Sequence, residues 1–473
     1  MSRTITALAC TLAAALAIPS AASAADKPVD DACAQNSPLA SPCVGADKVA
    51  EAGATECRKA GAPDDSCVMP AGHDNLAAER AAYANSWVHR AAQFQFRLGN
   101  SLPLRDAQWL GTHNSFNSFA NGETPSHLDS NQQLTLAQQL DSDIRSLEID
   151  VHWTPSVHAN GANAVVVCHG RGPDEQNAGC TTEPLLPDVL PEIATWLNGH
   201  SDQVVLLYLE DNLDNADGYA QTVAALEAGL KRPDGSSLIF HPDAANTTAK
   251  GCVNLPLGIS RDDVRAAGSQ VVMVGNCRGG WASDVFGWDD VHVESGSTPG
   301  YKDFPACDAT YGPDVYASEL VRYYEDSTWL SATVDGESPS DHSASMLSPA
   351  KVAAMTRCGV NLFGFDQLLP ADGRLEASVW SWAKDQPDPA AGGCTVQGTD
   401  GRWSSAACGA KHPAACRNAA GAWMLTPKAV GSSAAAKACR AQGAAFVPPR
   451  SGEENSLLRT AAGNAVVWVN SAS

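Results

Sequence analysis

Residues 145–153 alternate between apolar and polar side chains, and this stretch constrains the fold more than any other part of the chain. Its apolar face consists of Leu147, Ile149 and Val151, and its polar face of Glu148, Asp150 and His152. The apolar face predicts a strand that packs against helices. The two carboxylates need a partner, because a buried charge is costly unless it is paired or binds a metal. A half-exposed edge strand with both acids in water is the alternative.

Strand-like and helix-like patterns alternate between residues 109 and 369, which predicts a parallel α/β fold. The strand candidates are 109–112, 146–153, 165–168, 204–209, 271–274 and 360–365. The helix candidates between them are 134–144, 186–197, 216–230, 261–267 and 349–358. The length suits a distorted (β/α)₈ TIM barrel, although only six strands are clear and residues 232–265 and 283–345 are hard to assign. A doubly wound sheet is the alternative, but no glycine-rich phosphate loop follows the first strand.

The segments outside the barrel are predicted from composition. Residues 1–24 combine a basic start, an apolar run and a small-residue cleavage site, as in a signal peptide. Residues 25–100 form a cysteine-bearing extension that ends in one helix from residue 73 to about 98, residues 101–385 form the barrel, and residues 386–473 form a small module rich in Cys and Trp.

Cysteine number and net charge predict an exported protein. Of the 15 cysteines, only Cys10 lies in the signal peptide, and the remaining 14 are an even number that suggests disulfides in a secreted or periplasmic chain. The net charge of −22 argues against nucleic acid as a partner and against wholesale adsorption to anionic membranes. It suits a soluble protein that binds cations, and the alternative is that the acidity only aids solubility.

Polar functional groups follow the ends of five predicted strands. They are His113, Asn114, Glu148, Asp150, His169, Glu210 and Asp366. In a parallel barrel these strand ends converge on the face that carries the active site. The sequence therefore predicts that these side chains gather in one pocket.

The residue types at these ends predict a metal site and an acid–base pair. The oxygen donors Asn114, Glu148, Asp150 and Glu210 suit calcium better than zinc, and calcium better than magnesium in an extracellular protein. The imidazoles of His113 and His169 can act as base and acid across a phosphoryl group. Which histidine takes which role stays open.

Four ordered motifs resemble the X-type catalytic region of phosphatidylinositol-specific phospholipase C, within the phospholipase C-like phosphodiesterase superfamily. They are Thr-His-Asn-Ser-Phe at 112–116, Gln-Leu-Asp-Ser-Asp-Ile-Arg-Ser-Leu-Glu-Ile-Asp at 139–150, Cys-His-Gly at 168–170 and Leu-Tyr-Leu-Glu at 207–210. The resemblance implies a distorted TIM barrel, the calcium ligands and the two catalytic histidines named above. The paired Glu-x-Asp resembles the calcium-dependent kind.

The resemblance also implies the reaction. A phosphatidylinositol-type lipid at a membrane surface would be cleaved to diacylglycerol and a cyclic inositol phosphate, with His113 stabilising the phosphoryl oxygens and His169 protonating the leaving oxygen. No basic cluster for further head-group phosphates is visible. Arg145, Arg278 and Asp366 are the remaining candidates for substrate contact, and a surface salt bridge is the alternative for each arginine. Cys168 and Cys180 are the expected disulfide pair beside His169.

Residues 403–408 and 414–417 resemble the closing part of a C-type lectin-like domain, and 438–468 an opening part, in reversed order. The module is therefore either a disulfide-stapled cap or a binder of surface glycans. Two other functions stay open: a glycerophosphodiester phosphodiesterase or phospholipase D-like enzyme on the same barrel, and a non-catalytic sugar-binding protein. The first usually shows Arg and Asp where this chain has Asn114 and Gly170. The intact set of histidines and carboxylates speaks against the second.

Overall fold

The computed structural model describes residues 76–118, 120, 130–294, 319–325 and 347–471. The predicted signal peptide and the cysteine-bearing part of the extension, residues 25–75, lie outside these ranges. Within the described ranges, none of the helices has the length and apolar character that a membrane crossing requires.

A nine-stranded sheet forms the body of the molecule. Its strands are β1 (Trp109–Thr112), β2 (Ser146–Pro155), β3 (Asn163–Val167), β4 (Val205–Asn212), β5 (Val271–Gly275), β6 (Phe286–Gly287), β7 (His292–Glu294), β8 (Leu320–Tyr324) and β9 (Leu362–Phe365). All strands except β3 run parallel to their neighbours, and the last strand pairs with the first. This is the strand order of a (β/α)₈ barrel, and it confirms the predicted fold class. The barrel is distorted by an open seam, since β6 and β7 do not pair within the described residues.

The two faces of β2 have the surroundings that its sequence predicts. Leu147, Ile149 and Val151 are fully buried and belong to the core that the sheet shares with the surrounding helices. Glu148 and Asp150 are also buried, but on the opposite, interior face. The edge-strand alternative is therefore wrong, because β2 lies between β1 and β4 and has neighbours on both sides.

Ten α-helices lie within the described residues. They are α1 (Leu76–Ala84), α2 (Trp87–Gly99), α3 (Leu136–Asp141), α4 (Leu186–Gly199), α5 (Ala216–Gly229), α6 (Arg261–Ala266), α7 (Pro349–Arg357), α8 (Arg374–Ser378), α9 (Ser432–Arg440) and α10 (Gly452–Ala462). The prediction of one helix up to residue 98 is wrong. The first helix ends at Ala84, and a second begins after Ser86. The Ser86 hydroxyl caps this second helix, α2, by accepting a hydrogen bond from the His89 backbone N–H at 3.1 Å.

Strand β3 corrects a second prediction. It was expected as a parallel barrel strand, but it pairs antiparallel with the far half of β2, with Val151 opposite Val167. The two strands form a hairpin that leaves the barrel and returns to it. The eight barrel strands instead include β6, β7 and β8, which the sequence did not reveal.

The C-terminal module packs directly on the barrel. Its strands are β10 (Cys394–Gln397), β11 (Trp403–Ala406), β12 (Ala415–Asn418), β13 (Trp423–Leu425), β14 (Ala444–Ala445) and β15 (Val467–Val469), in two three-stranded sheets. Disulfides join Cys394 to Cys408 and Cys416 to Cys439. The buried Trp403 contacts the ring of Phe94 and those of two tryptophans that follow α8. The module thus shares a core with the barrel.

Candidate active site

Glu148, Asp150 and Glu210 form a carboxylate cluster inside the barrel. Asp150 lies directly opposite Glu210 in the parallel register of β2 and β4. Each residue offers a carboxylate oxygen, and these oxygens lie within 4.8 Å of one another. Glu148 and Asp150 are buried, whereas Glu210 is partly exposed. Two of the three carboxylates are therefore shielded from water, and the third reaches it in part.

The electrostatics of the carboxylate cluster favour a proton or a cation. Burial raises the pKa of Glu148 to about 7, opposed by the charge of His113 and reinforced by that of Glu210. Burial, Glu210 and Glu148 together raise the pKa of Asp150 well above its ordinary value. Carboxylates in close contact repel one another, and a bound cation would relieve this repulsion as protonation does.

Asn114 lies just after β1, where the backbone turns toward the carboxylate cluster. Its φ of 43° is left-handed, a conformation that asparagine adopts more readily than most residues. Its backbone N–H donates to Glu148 Oε2 at 3.2 Å. With its amide nitrogen toward Asp150, the side chain donates to both carboxylate oxygens at 2.9 and 3.2 Å. With the amide reversed, the Asn114 side-chain oxygen would face Asp150 instead. That oxygen and the three carboxylates would then be oxygen ligands of the kind that a hard cation such as calcium prefers.

His113 is held by the buried carboxylate of Asp366, which follows β9, the neighbour of β1 on the side opposite β2. Its Nδ1 lies 3.1 and 3.2 Å from the two oxygens of Asp366, which is 0% exposed. Burial alone would lower the pKa of His113, but the charges of Asp366 and Glu148 raise it to about 10. Asp366 is held in turn, since its backbone N–H donates to Glu325, which is ion-paired with the buried Arg374. His113 is thus an oriented, readily protonated imidazole.

His169 lies at the same site because the hairpin of β2 and β3 brings it there, and not because it follows a parallel strand. The chain returns along β3, and the backbone N–H of Cys168 donates to the Asp150 carbonyl at 3.2 Å. The predicted disulfide between Cys168 and Cys180 is confirmed and closes the loop that carries His169. Nδ1 of His169 lies 3.1 Å from the side-chain nitrogen of Asn117.

Asn117 and Asn131 were missed by the sequence interpretation. The Asn117 side-chain nitrogen donates to Asn131 Oδ1 at 2.8 Å, and the Asn131 nitrogen donates to Asp366 Oδ1 at 3.1 Å. Hydrogen bonds therefore connect His169 to the carboxylate that holds His113. The only sequence signal is the polar run Ser-Asn-Gln-Gln at 130–133, which is entirely buried in the structure.

The structure separates the two predicted arginines. Arg145 precedes β2 and therefore lies at the amino end of the strand, away from the catalytic face. Its buried guanidinium donates to the backbone carbonyls of Leu140 and Ile144 at 2.7 Å, so its assignment to substrate is corrected to a structural one. Arg278 follows β5 at the carboxyl end, is 50% exposed and pairs with Asp211 at 3.1 Å. It lies at the predicted face, and its ion pair is with Asp211 rather than with the carboxylate cluster or the histidines.

Arg322 of β8 is a cation that the sequence interpretation did not single out. Its guanidinium lies 5.1, 4.7 and 4.5 Å from the ring centroids of Tyr208, Trp288 and Tyr324. Its positive charge lowers the pKa of Glu148, acting against burial. It is therefore a fixed positive charge of the protein next to the carboxylate cluster.

The chain matches one family model and two relatives of similar length. A family model described as the Rv2075c PI-PLC-like domain matches residues 68–372. Two Mycobacterium tuberculosis proteins, "Uncharacterized protein MT2135" of strain CDC 1551 and "Uncharacterized protein Rv2075c" of strain H37Rv, are each 55% identical over 437 residues, covering 92% of this chain and 90% of theirs.

Solved structures with a similar chain path include phosphatidylinositol-specific phospholipases C. The Listeria monocytogenes protein aligns at 15% identity and a TM-score of 0.42, covering 61% of this chain and 98% of its own. The F249X mutant of the Staphylococcus aureus protein aligns at 13% identity and a TM-score of 0.40, covering 62% and 98%.

Proposed function

This chain belongs to the family of Rv2075c PI-PLC-like domains and is a phospholipase C-like phosphodiesterase, and we propose from that premise that it cleaves phosphatidylinositol-type phospholipids. The products are diacylglycerol and a cyclic inositol phosphate. The observation that carries the proposal is the hydrogen-bonded chain from His113 to His169 beside the carboxylate cluster. Two imidazoles in one site can take a proton from an attacking hydroxyl and give one to a leaving oxygen.

In the proposed reaction, the inositol 2-hydroxyl oxygen attacks phosphorus in line, and the bond from phosphorus to the diacylglycerol oxygen breaks. His169 donates a proton to that oxygen. Neutral His113 would keep Nδ1–H on Asp366 and accept the hydroxyl proton at Nε2. Protonated His113 would instead stabilise the phosphoryl oxygens, and a carboxylate of the cluster would take the hydroxyl proton. The raised pKa of about 10 favours the protonated form unless another positive charge offsets the nearby carboxylates.

Calcium is the proposed cofactor. Glu148, Asp150 and Glu210 would hold it, together with Asn114 when its amide oxygen faces Asp150. When bound, the ion would lower the pKa of the attacking hydroxyl and offset the charge of the phosphoryl group. Arg322 is the alternative source of positive charge, and its presence makes calcium removal an informative test.

Product analysis on phosphatidylinositol vesicles tests the proposal. We expect phosphorus NMR to detect a cyclic phosphate in the presence of calcium, to detect none after chelation, and to show its much slower formation with the His169→Ala variant. A glycerophosphodiester offered alongside separates the proposal from its alternative. Cleavage of that compound without any cyclic product would replace the phospholipase C assignment, and full activity after exhaustive chelation would exclude calcium.

We also propose that the protein is exported and acts at a membrane surface as a peripheral enzyme. The described residues contain disulfides on the barrel and on the C-terminal module, as expected in an oxidising compartment. Fractionation of the producing cell, with detection of the mature chain outside the cytoplasm, tests this. A glycan ligand for the C-terminal module stays a prediction from its lectin-like motifs.

A further inference from the structure

Asn117 and Asn131 link the two histidines through a continuous chain of hydrogen bonds. His113 Nδ1 lies 3.1 Å from Asp366 Oδ1, which also accepts from Asn131 Nδ2 at 3.1 Å. Asn131 Oδ1 accepts from Asn117 Nδ2 at 2.8 Å, and that nitrogen lies 3.1 Å from His169 Nδ1. Asn131 and Asp366 are fully buried, and Asn117 is nearly so. Water therefore does not compete strongly for the inner bonds, whereas His169 at the end of the chain is itself exposed.

The direction of this chain is fixed by chemistry. An ionised carboxylate only accepts hydrogen bonds, so Asn131 must present its NH₂ group to Asp366 and its oxygen to Asn117. Asn117 must then present its own NH₂ group to that oxygen. Because an amide NH₂ group only donates, the same group makes His169 Nδ1 the acceptor. Reversing either amide would place an oxygen against an oxygen.

We propose that Asn117 and Asn131 are positioning residues that hold neutral His169 in the tautomer with its proton on Nε2. Asp366 is the fixed end of the chain. The same carboxylate takes Nδ1–H of His113, so one buried group faces a donor on His113 and, through the two asparagines, an acceptor on His169. This inference deepens the proposed function and rests on it for its catalytic meaning, because Nε2–H is then the hydrogen-bond donor that His169 directs toward the leaving oxygen.

Histidine-selective ¹⁵N labelling of the full chain reads the tautomers directly. Two-bond proton–nitrogen correlations distinguish Nδ1–H from Nε2–H, and a His169→Gln variant assigns the signal. We expect neutral His169 to be Nε2–H. His152 is a control in the same spectrum, because its Nδ1 lies 3.0 Å from Asn177 Oδ1 while the Asn177 nitrogen donates to the Trp153 carbonyl. Its expected tautomer is therefore the opposite one, Nδ1–H.

Asn131→Ala tests the hydrogen-bond chain, since the Asn131 side chain bonds to Asn117 and Asp366 and acts on His169 only through them. We expect the His169 signal to shift from pure Nε2–H toward a mixture. Asn117→Asp is the second variant, close to the native residue in shape, and its carboxylate should draw the proton to Nδ1. Nδ1–H in the wild type would overturn the proposal, as would an unchanged His169 signal in both folded variants.

A kinetic measurement separates positioning from a purely structural role. Loss of the tautomer should lower the cleavage rate of the lipid by up to ~10²-fold, because the leaving oxygen loses a positioned N–H donor. The loss should shrink on an aryl phosphodiester whose leaving group departs without a proton. The NMR result needs no substrate. If the tautomers are as expected but no phosphodiester is cleaved, the proposed function fails while the positioning role stands.

Discussion

His113 and Asp366 form a buried pair in which Nδ1 lies 3.1 and 3.2 Å from the two carboxylate oxygens. The pair joins the ends of β1 and β9, which are neighbours in the sheet although they stand far apart in sequence. Asp366 also accepts from Asn131 and is anchored through Glu325. The orientation and the charge of His113 therefore depend on a residue that never needs to touch the substrate.

Asp366→Asn should lower activity by about 10²–10⁴-fold, the contribution of a positioned acid–base group. The amide keeps the shape of the side chain but loses the charge that raises the pKa of His113, so that pKa should fall from about 10. Rate profiles over pH, with His113 followed by NMR, measure both effects.

The control for this variant is Asp290→Asn, which removes a carboxylate paired with Lys250 at the surface. Exposed ion pairs contribute little, so activity and stability should stay near those of the wild type. Wild-type activity in a folded Asp366→Asn protein would contradict the assigned role of the pair.

The fold was predictable where strands are apolar and regular. Strands β2, β4 and β5 carry Leu, Ile and Val in strand-like patterns, and their positions followed from those patterns alone. Strand β6 has two residues and is too short for a periodic pattern. Strand β8 has Arg322 at its centre, and a charged residue normally indicates an exposed segment. The sequence therefore did not identify β8 as a buried strand. The antiparallel direction of β3 was not predictable, because alternation reveals the faces of a strand and not its direction.

The site was predictable where side chains follow strand ends. His113 follows β1 in this way, whereas Glu148, Asp150 and Glu210 lie within β2 and β4, on strand faces that the alternating pattern assigns to one side of the sheet. Arg145 was misjudged because it lies before its strand, at the opposite end of the barrel. Asn117 and Asn131 sit in loops, and their contacts depend on a loop path that periodicity does not encode.

Calcium binding should strengthen as pH rises through about 7. The pKa of Glu148 is raised to about 7, so below that pH a proton occupies the site and must leave before the ion binds. Affinity should fall by about tenfold per pH unit for each such proton below the pKa, and level off above it. Calorimetric titration over this range measures the slope without substrate.

Glu148→Gln should bind calcium more weakly and with a shallower pH dependence, since one titrating ligand is gone. The control is Glu227→Gln, from a separate group with His241 and Asp284, which should leave calcium affinity unchanged. Calcium affinity that does not vary with pH would show that Glu148 is not a ligand.

Removal of the Cys168–Cys180 disulfide should reduce both stability and activity. A link across 12 positions contributes about 3 kcal/mol by restricting the unfolded chain, and this one also anchors the loop of His169. Cys394–Cys408 spans 14 positions in the C-terminal module and is a matched control. Its double Ala variant should lose similar stability but keep the turnover of the folded enzyme. Equal activity losses in both variants, measured below their melting temperatures, would contradict a local role for the first disulfide.

His169→Ala and Glu148→Gln should respond differently to the leaving group. If His169 protonates the leaving oxygen, its loss should cost ~10²–10⁴ in rate on the lipid. On an activated aryl phosphodiester the penalty should shrink sharply, because the leaving group departs without a proton. Glu148→Gln alters the carboxylate cluster instead, so its penalty should persist with either substrate and soften as calcium is raised.

The comparison needs both substrates, both variants and the wild type at one pH and at two calcium concentrations. Rates on soluble substrates avoid differences in vesicle binding between the proteins. Equal penalties for His169→Ala on the two substrates would show that His169 binds or orients the substrate and does not transfer the proton. The hydrogen-bond chain through Asn117 would then serve to orient the ring, and the acid would have to be another group at the same rim.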